Sequence, residues 1–102
     1  MPDPQTILRR EATLPDGVAA AAMLLQPLLA EAAGADTQTV SLTLDYGVAP
    51  QVHAPVTLEA WVDRATRTLV FAHGRLLTAT GEVAASGSAV FRRVTGQAVA
   101  QG

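Results

Sequence analysis

Few side chains in this 102-residue chain can do covalent or acid–base chemistry, and the missing types are as informative as those present. It has no cysteine, and all seven of its cations are arginines. That excludes a disulfide framework, a thiolate zinc site and a thiol nucleophile, as well as a Schiff-base lysine and a phosphate-loop lysine. His53 and His73 are the two histidines. They are too few for a histidine-based metal site, and no carboxylate stands at motif spacing to make a His–Asp dehydratase pair. Ser86-Gly87-Ser88 has a strand pattern after it instead of a helix, so it lacks the strand–turn–helix setting of a nucleophile elbow. Among the carboxylates, Glu31 is expected to be solvated at a helix end, while Asp45 and Glu59 fall on polar strand faces and are expected to be exposed. Arg64, Arg67, Arg75, Arg92 and Arg93 have the geometry to clamp phosphates, and solvated strand ends account for them equally well.

Composition narrows the classes further. The chain is 49% hydrophobic and 16% charged, where soluble domains carry about 25% charged residues. A domain this size buries only about 60 to 65% of its unfolded surface by itself. The imbalance therefore predicts an unusually full core or an exterior covered by another copy. A net charge of −2 lacks the basic footprint of nucleic-acid binding. Arg9-Arg10 followed by the run Val18 to Ala33 imitates a secretory signal, but Glu11, Pro15 and Asp16 separate the two parts, and Gln26, Pro27 and Glu31 interrupt the run. It is also too short and interrupted to span a bilayer. A cytoplasmic protein with no membrane partner is expected, and the Ala-rich, Asn-free and Lys-free composition fits a GC-rich, bacterial genome.

The elements that must position these groups follow from periodicity. Residues 1–102 are expected to form one domain, with a core over about 6–94 and a frayed tail over 95–102. Thr6 to Thr13 reads as a short strand. Asp16 is a plausible N-cap for a helix over Gly17 to Ala33 that stops at Gly34. Val18 to Leu25 is apolar at every position, which predicts a helix buried all round, with Pro27 removing one backbone donor and kinking it. From Thr39 the period becomes two. Val40, Leu42, Leu44 and Tyr46 share one face, and so do Val56, Leu58, Ala60 and Val62 after the loop Gly47 to Pro55. A turn is expected over Asp63 to Arg67, then strands over Thr68 to Thr78, apolar on both faces, and Glu82 to Val94. Gly74 and Gly87 suggest bulges or bends within them. The sum is an α+β domain in which a meander of long antiparallel strands curls around one buried apolar helix.

This order resembles the hotdog fold, and in detail the small acyl-CoA thioesterases of the phenylacetate-pathway and 4-hydroxybenzoyl-CoA type. The likeness lies in Val40-Ser41-Leu42-Thr43-Leu44-Asp45-Tyr46 before a Pro-containing loop, in Val56 to Val62, and in the hairpin from Arg67 to Phe91 that turns at Thr80-Gly81. It covers roughly residues 14–94.

The resemblance implies a homodimer, or a dimer of dimers, paired through Thr39 to Tyr46. It also implies an acyl-CoA or acyl-carrier thioester bound at the dimer interface and no cofactor. The backbone N–H groups of Gly17 and Val18 would polarise the thioester carbonyl at the helix start. Two departures stand out. Asp16 occupies the place of the family's histidine, where its charge opposes an oxyanion unless it turns away as the N-cap. The family's helix carboxylate falls within Leu24, Leu25 and Gln26, none of them acidic. Gln26 either orients a water or satisfies backbone opened by Pro27, and Asp45 could reach a neighbour's pocket from the dimer seam. Asp16, Tyr46, His53 and Arg75 are the expected substrate contacts. Two functions remain open at this point: a thioester hydrolase, and a non-catalytic hotdog protein that binds an acyl ligand or serves as a structural dimer.

Overall fold

The computed structural model describes residues 6–94, so the expected tail over 95–102 lies outside the described residues. In chain order the elements are β1 (Leu8–Thr13), α1 (Ala20–Ala33), β2 (Thr37–Tyr46), β3 (Pro55–Ala65), β4 (Leu69–Thr78) and β5 (Val83–Arg93). The strands form one antiparallel sheet in the order β1-β3-β4-β5-β2. The meander is thus limited to β3-β4-β5. The strand that follows the helix lies at the far edge and pairs with β5, so the β2–β3 connection is an eight-residue crossing instead of a tight hairpin. β1 and β2 are the two edge strands.

The helix is shorter than its apolar run suggests. Gly17 takes φ +106°, outside the helical region, so residues 17–19 turn and the helix begins only at Ala20. Its N-cap residue is Ala19, with no side-chain cap, which corrects the assignment of that role to Asp16. At the other end Gly34 does stop the helix, with φ +110° and its N–H donating to the Ala30 carbonyl at 3.0 Å. Nor is the helix buried all round. Ala20, Ala21, Leu25, Leu28 and Leu29 form one buried stripe at helical spacing, while Met23 is 59% exposed and Val18, before the helix, is 97% exposed. A helix lying on one face of an open sheet covers only the stripe that faces the sheet.

That stripe sits on the inner sheet face of Val56, Leu58, Ala60, Val70, Ala72, Leu76, Ala85, Ala89 and Phe91. Gly74 and Gly87 are register partners at its centre. Neither is at a bulge; the register shifts lie at Thr39/Ser41, Val62/Arg64 and Leu76/Leu77. A Cβ on Gly74 would come within 3.2 Å of a Leu29 methyl and 2.8 Å of the Glu59 carbonyl oxygen, and one on Gly87 within 3.6 Å of the other Leu29 methyl. The two glycines are the seat into which Leu29 fits. The bulge at Thr39/Ser41 also takes Val40 off the inner face, leaving it 59% exposed while Leu42 and Leu44 pack against the core. On β4 the two-faced pattern divides: Val70, Ala72 and Leu76 are buried, and Leu69, Phe71 and Leu77 are half-buried on the outer face.

Truncating the knob or filling the seat should cost similar amounts. Leu29→Ala is expected to lower the unfolding free energy by about 2–5 kcal/mol and Gly74→Ala by about 1–3 kcal/mol, read from urea titrations. Parent-like stability in Gly74→Ala would show that the helix does not rest there.

Candidate active site

Where the stripe carries alanine instead of leucine, the helix and the sheet do not fill the space between them. Ala20 and Ala21 face Leu76, Ala84 and Ala85 across a cavity of about 190 Å³, closed at one side by Leu14. Its rim is made of Gly17 and Val18 before the helix, Tyr46 at the end of β2, and Gly47 to Pro50 in the loop that follows. Backbone bonds tie that loop down. The Gly47 and Val48 N–H groups donate to the carbonyls of Ala84 and Val83 at 2.9 and 3.1 Å, and at its other end His53 N–H donates to Leu14 O at 2.8 Å while Leu14 N–H donates to Ala54 O at 3.0 Å.

The helix start supplies the cavity's polarity. Ala20 N–H donates to the Gly17 carbonyl at 3.2 Å, but the N–H groups of Gly17, Val18 and Ala19 have no acceptor among the described residues. These groups lie just before the helix, at the end where its dipole is positive. Donors of this kind beside an apolar cavity suit an oxygen on which negative charge develops. Asp16 turns away from the helix start; its carboxylate Oδ1 is 3.8 Å from His53 Nε2.

Of the residues expected to form the site, Gly17, Val18 and Tyr46 line this one cavity. Asp16 and His53 are not among its lining residues; they meet each other beside it, Asp16 next to Gly17 in the chain and His53 tied through its N–H to the carbonyl of Leu14, which does line it. The other three lie elsewhere. Gln26 is exposed on the helix flank, in a shallow depression with Met23, Pro27 and Thr39. Asp45 is exposed and pairs with Ser86, so strand alternation points it to the outer face, opposite to Tyr46. Arg75 is also on the outer face, where Nε donates to Glu59 Oε1 at 2.7 Å and the guanidinium lies 5.6 Å from the Trp61 ring centre. Residues missed in the sequence are Val48, Ala49, Ala84 and Ala85, whose role comes from the crossing loop and the strand register. Among the described residues no three His, Cys, Asp or Glu side chains group as a metal set.

Glu59 corrects another expectation, since it is 2% exposed instead of solvated. Arg9 and Arg75 cover it from the neighbouring strands, with Arg9 Nε donating to Oε2 at 3.0 Å. The β1–β3 and β3–β4 registers place both arginines directly opposite it. The hydrogen bond from Arg75, against the opposing effect of burial and helped by Arg9, holds its carboxyl below the usual carboxylate range.

A solved protein described as belonging to the thioesterase superfamily superposes with a TM-score of 0.65 over 84% of this chain and 74% of its own, at 20% identity. An (R)-hydratase from A. caviae involved in PHA biosynthesis superposes with a TM-score of 0.64 over 87% and 95%, at 16% identity. The chain has the hotdog fold. At these identities the likeness concerns the fold, and no family model or curated protein matches the sequence. The expected hotdog, an α+β sheet with one helix against it, is what the topology shows.

Because the folded-state pKa of Glu59 is lowered, its contribution to stability is present above the unfolded-state pKa and is lost as pH falls through the folded value. Glu59→Gln should lower stability at neutral pH by about 1–3 kcal/mol and flatten the acid side of the stability–pH curve. Parallel curves for parent and variant in urea titrations from pH 7 downward would contradict it.

Proposed function

We propose that the chain is an acyl thioester hydrolase acting on an acyl-CoA or acyl-carrier thioester. The acyl group occupies the cavity and the carbonyl oxygen is bound by the N–H groups of Gly17 and Val18. One observation carries this reading: an apolar cavity of about 190 Å³ whose rim holds backbone donors, unpartnered among the described residues, at a helix N-terminus. The alanines at its base set the acyl size. For scale, an apolar protein cavity of about 150 Å³ holds a benzene molecule, so a short or aromatic acyl group fits this one. A solved neighbour described as a thioesterase-superfamily protein supports the same chemistry.

The proposal includes a homodimer. Among the described residues β2 pairs on one side only, with β5, and an open edge of ten residues is a template for a second strand. Five of the eight large exposed apolar side chains among the described residues, Val18, Tyr46, Val48, Met23 and Val40, lie on the cavity rim, the helix flank and this edge. A partner paired along Thr39 to Tyr46 covers part of that surface and brings its own Gln26 and Asp45 toward the seam. Tyr46 and the rim loop then contact the substrate, while Arg75 braces Glu59. The outer face bearing Trp61 is available for pairing of dimers.

A panel of short, medium and aromatic acyl-CoA thioesters, followed by free-thiol release, tests the activity. The absence of turnover on all of them together with tight binding would replace the hydrolase with the acyl-binding reading, which the lack of a carboxylate among the described residues lining the cavity favours. Gln26→Ala is expected to lower turnover without changing the melting temperature. Gel filtration at micromolar concentration should give the dimer, and a stable monomer would overturn the pairing.

A further inference from the structure

His53 and Asp16 are far apart in sequence and meet only in the folded chain. Among the described residues His53 is the one non-glycine with positive φ, at 68°. That backbone region disfavours side chains, and residues held there collect at functional sites. The strain is held in place on both sides: His53 N–H donates to Leu14 O at 2.8 Å and Ala54 N–H to Gln51 O at 3.0 Å. In this conformation ring atom Nε2 is 3.8 Å from Asp16 Oδ1. Asp16 caps no helix, and it immediately precedes Gly17, which lines the cavity.

His73 provides the contrast. Ser88 Oγ lies 3.2 Å and Asp63 Oδ2 3.9 Å from the same ring atom, Nδ1. A serine relay needs the hydroxyl and the carboxylate on opposite ring nitrogens. His73 is also on the outer face, stacked 5.3 Å from Trp61.

We propose that His53 is the general base of the thioester hydrolysis and that Asp16 is its positioning residue. The inference rests on the hydrolase reading above and supplies the base that the helix lacks. With Asp16 accepting from Nε2–H, the neutral ring keeps its lone pair at Nδ1. Nδ1 takes a proton from water as the water oxygen bonds to the thioester carbon, and the carbonyl oxygen becomes an oxyanion at the N–H groups of Gly17 and Val18. Collapse of this intermediate breaks the C–S bond, and the leaving thiolate takes the proton from Nδ1–H. One water is consumed, an acid and a thiol are released, and the imidazole returns to its neutral form. The 3.8 Å separation exceeds a hydrogen bond by about 1 Å. Catalytic hydrogen bonds are often long before substrate binds and tighten with it. Both side chains are about three-quarters exposed, so packing does not lock them at that separation.

The backbone strain allows a test that separates chemistry from folding. Glycine adopts positive φ freely, so His53→Gly should melt no lower than the parent. Its kcat should nevertheless fall at least about 100-fold with KM within about threefold. Added imidazole should restore part of the rate, and the acid limb of the pH–kcat profile should disappear. Asp16→Asn should cost about 10-fold in kcat and leave the melting temperature unchanged. If the parent hydrolyses a thioester and His53→Gly retains its kcat and its acid limb, the base assignment is overturned and the hydrolase reading stands. A loss of kcat without imidazole rescue, with the acid limb intact, also overturns it. If the parent hydrolyses no thioester, the hydrolase reading falls and takes the base assignment with it.

Discussion

Leu29 rests on Gly74 and Gly87, with its two methyls 3.2 and 3.6 Å from where those residues would carry a side chain. The distance between helix and sheet is set at this contact, because protein interiors tolerate neither overlap nor void. Where the helix carries leucines, at Leu25, Leu28 and Leu29, the layer is filled. One to two turns earlier the same spacing is bridged by Ala20 and Ala21 against Ala84 and Ala85, and small residues facing small residues leave a cavity. The seat at one end of the helix and the cavity at the other are two outcomes of a single interlayer distance.

The cavity is open at the helix start because Gly17 refuses helical geometry. Its φ of +106° delays the first turn to Ala20, and the N–H groups of Gly17, Val18 and Ala19 have no acceptor among the described residues. The same turn frees Asp16 from capping and lets it approach His53 on the crossing loop. That loop exists because β2 pairs with β5 and not with β3, so the chain has to cross the end of the sheet between them. Site and topology are therefore linked: a β2–β3 hairpin would remove both the rim and the histidine that borders it.

The outer face of the sheet follows different physics. Glu59 is buried there beneath two arginines, and Trp61, His73 and Arg75 stack across β3 and β4. Leu69, Phe71, Leu77 and Trp61 are half-buried on the same face. The excess of apolar over charged residues is thus spread over the buried stripe, the outer face, and the exposed residues of the cavity rim and the β2 edge.

Much of this was legible in the chain itself. The change of period from 3.6 to 2 after Gly34 marks the helix and the strands, the apolar inner positions of β3 and β4 are those of the strand alternation, and the order of elements points to the hotdog fold; each is a local property of neighbouring residues. Long-range pairing is not written locally. Periodicity carries no term for which strands become neighbours, so the crossing of β2 to the far edge, the burial of Glu59 under Arg9 and Arg75, and the glycine seat under Leu29 emerge only when separate segments meet. The same holds for the site. Gly17, Val18 and Tyr46 could be singled out from the chain, but Ala84 and Ala85 look like ordinary strand alanines, and nothing in their spacing joins Asp16 to His53. Amino-acid sequence determined the elements and their apolar faces, since those depend on neighbours a few residues apart. Tertiary structure alone decided the cavity, the covered carboxylate and the histidine–aspartate contact, because each requires a distance between segments that only packing sets.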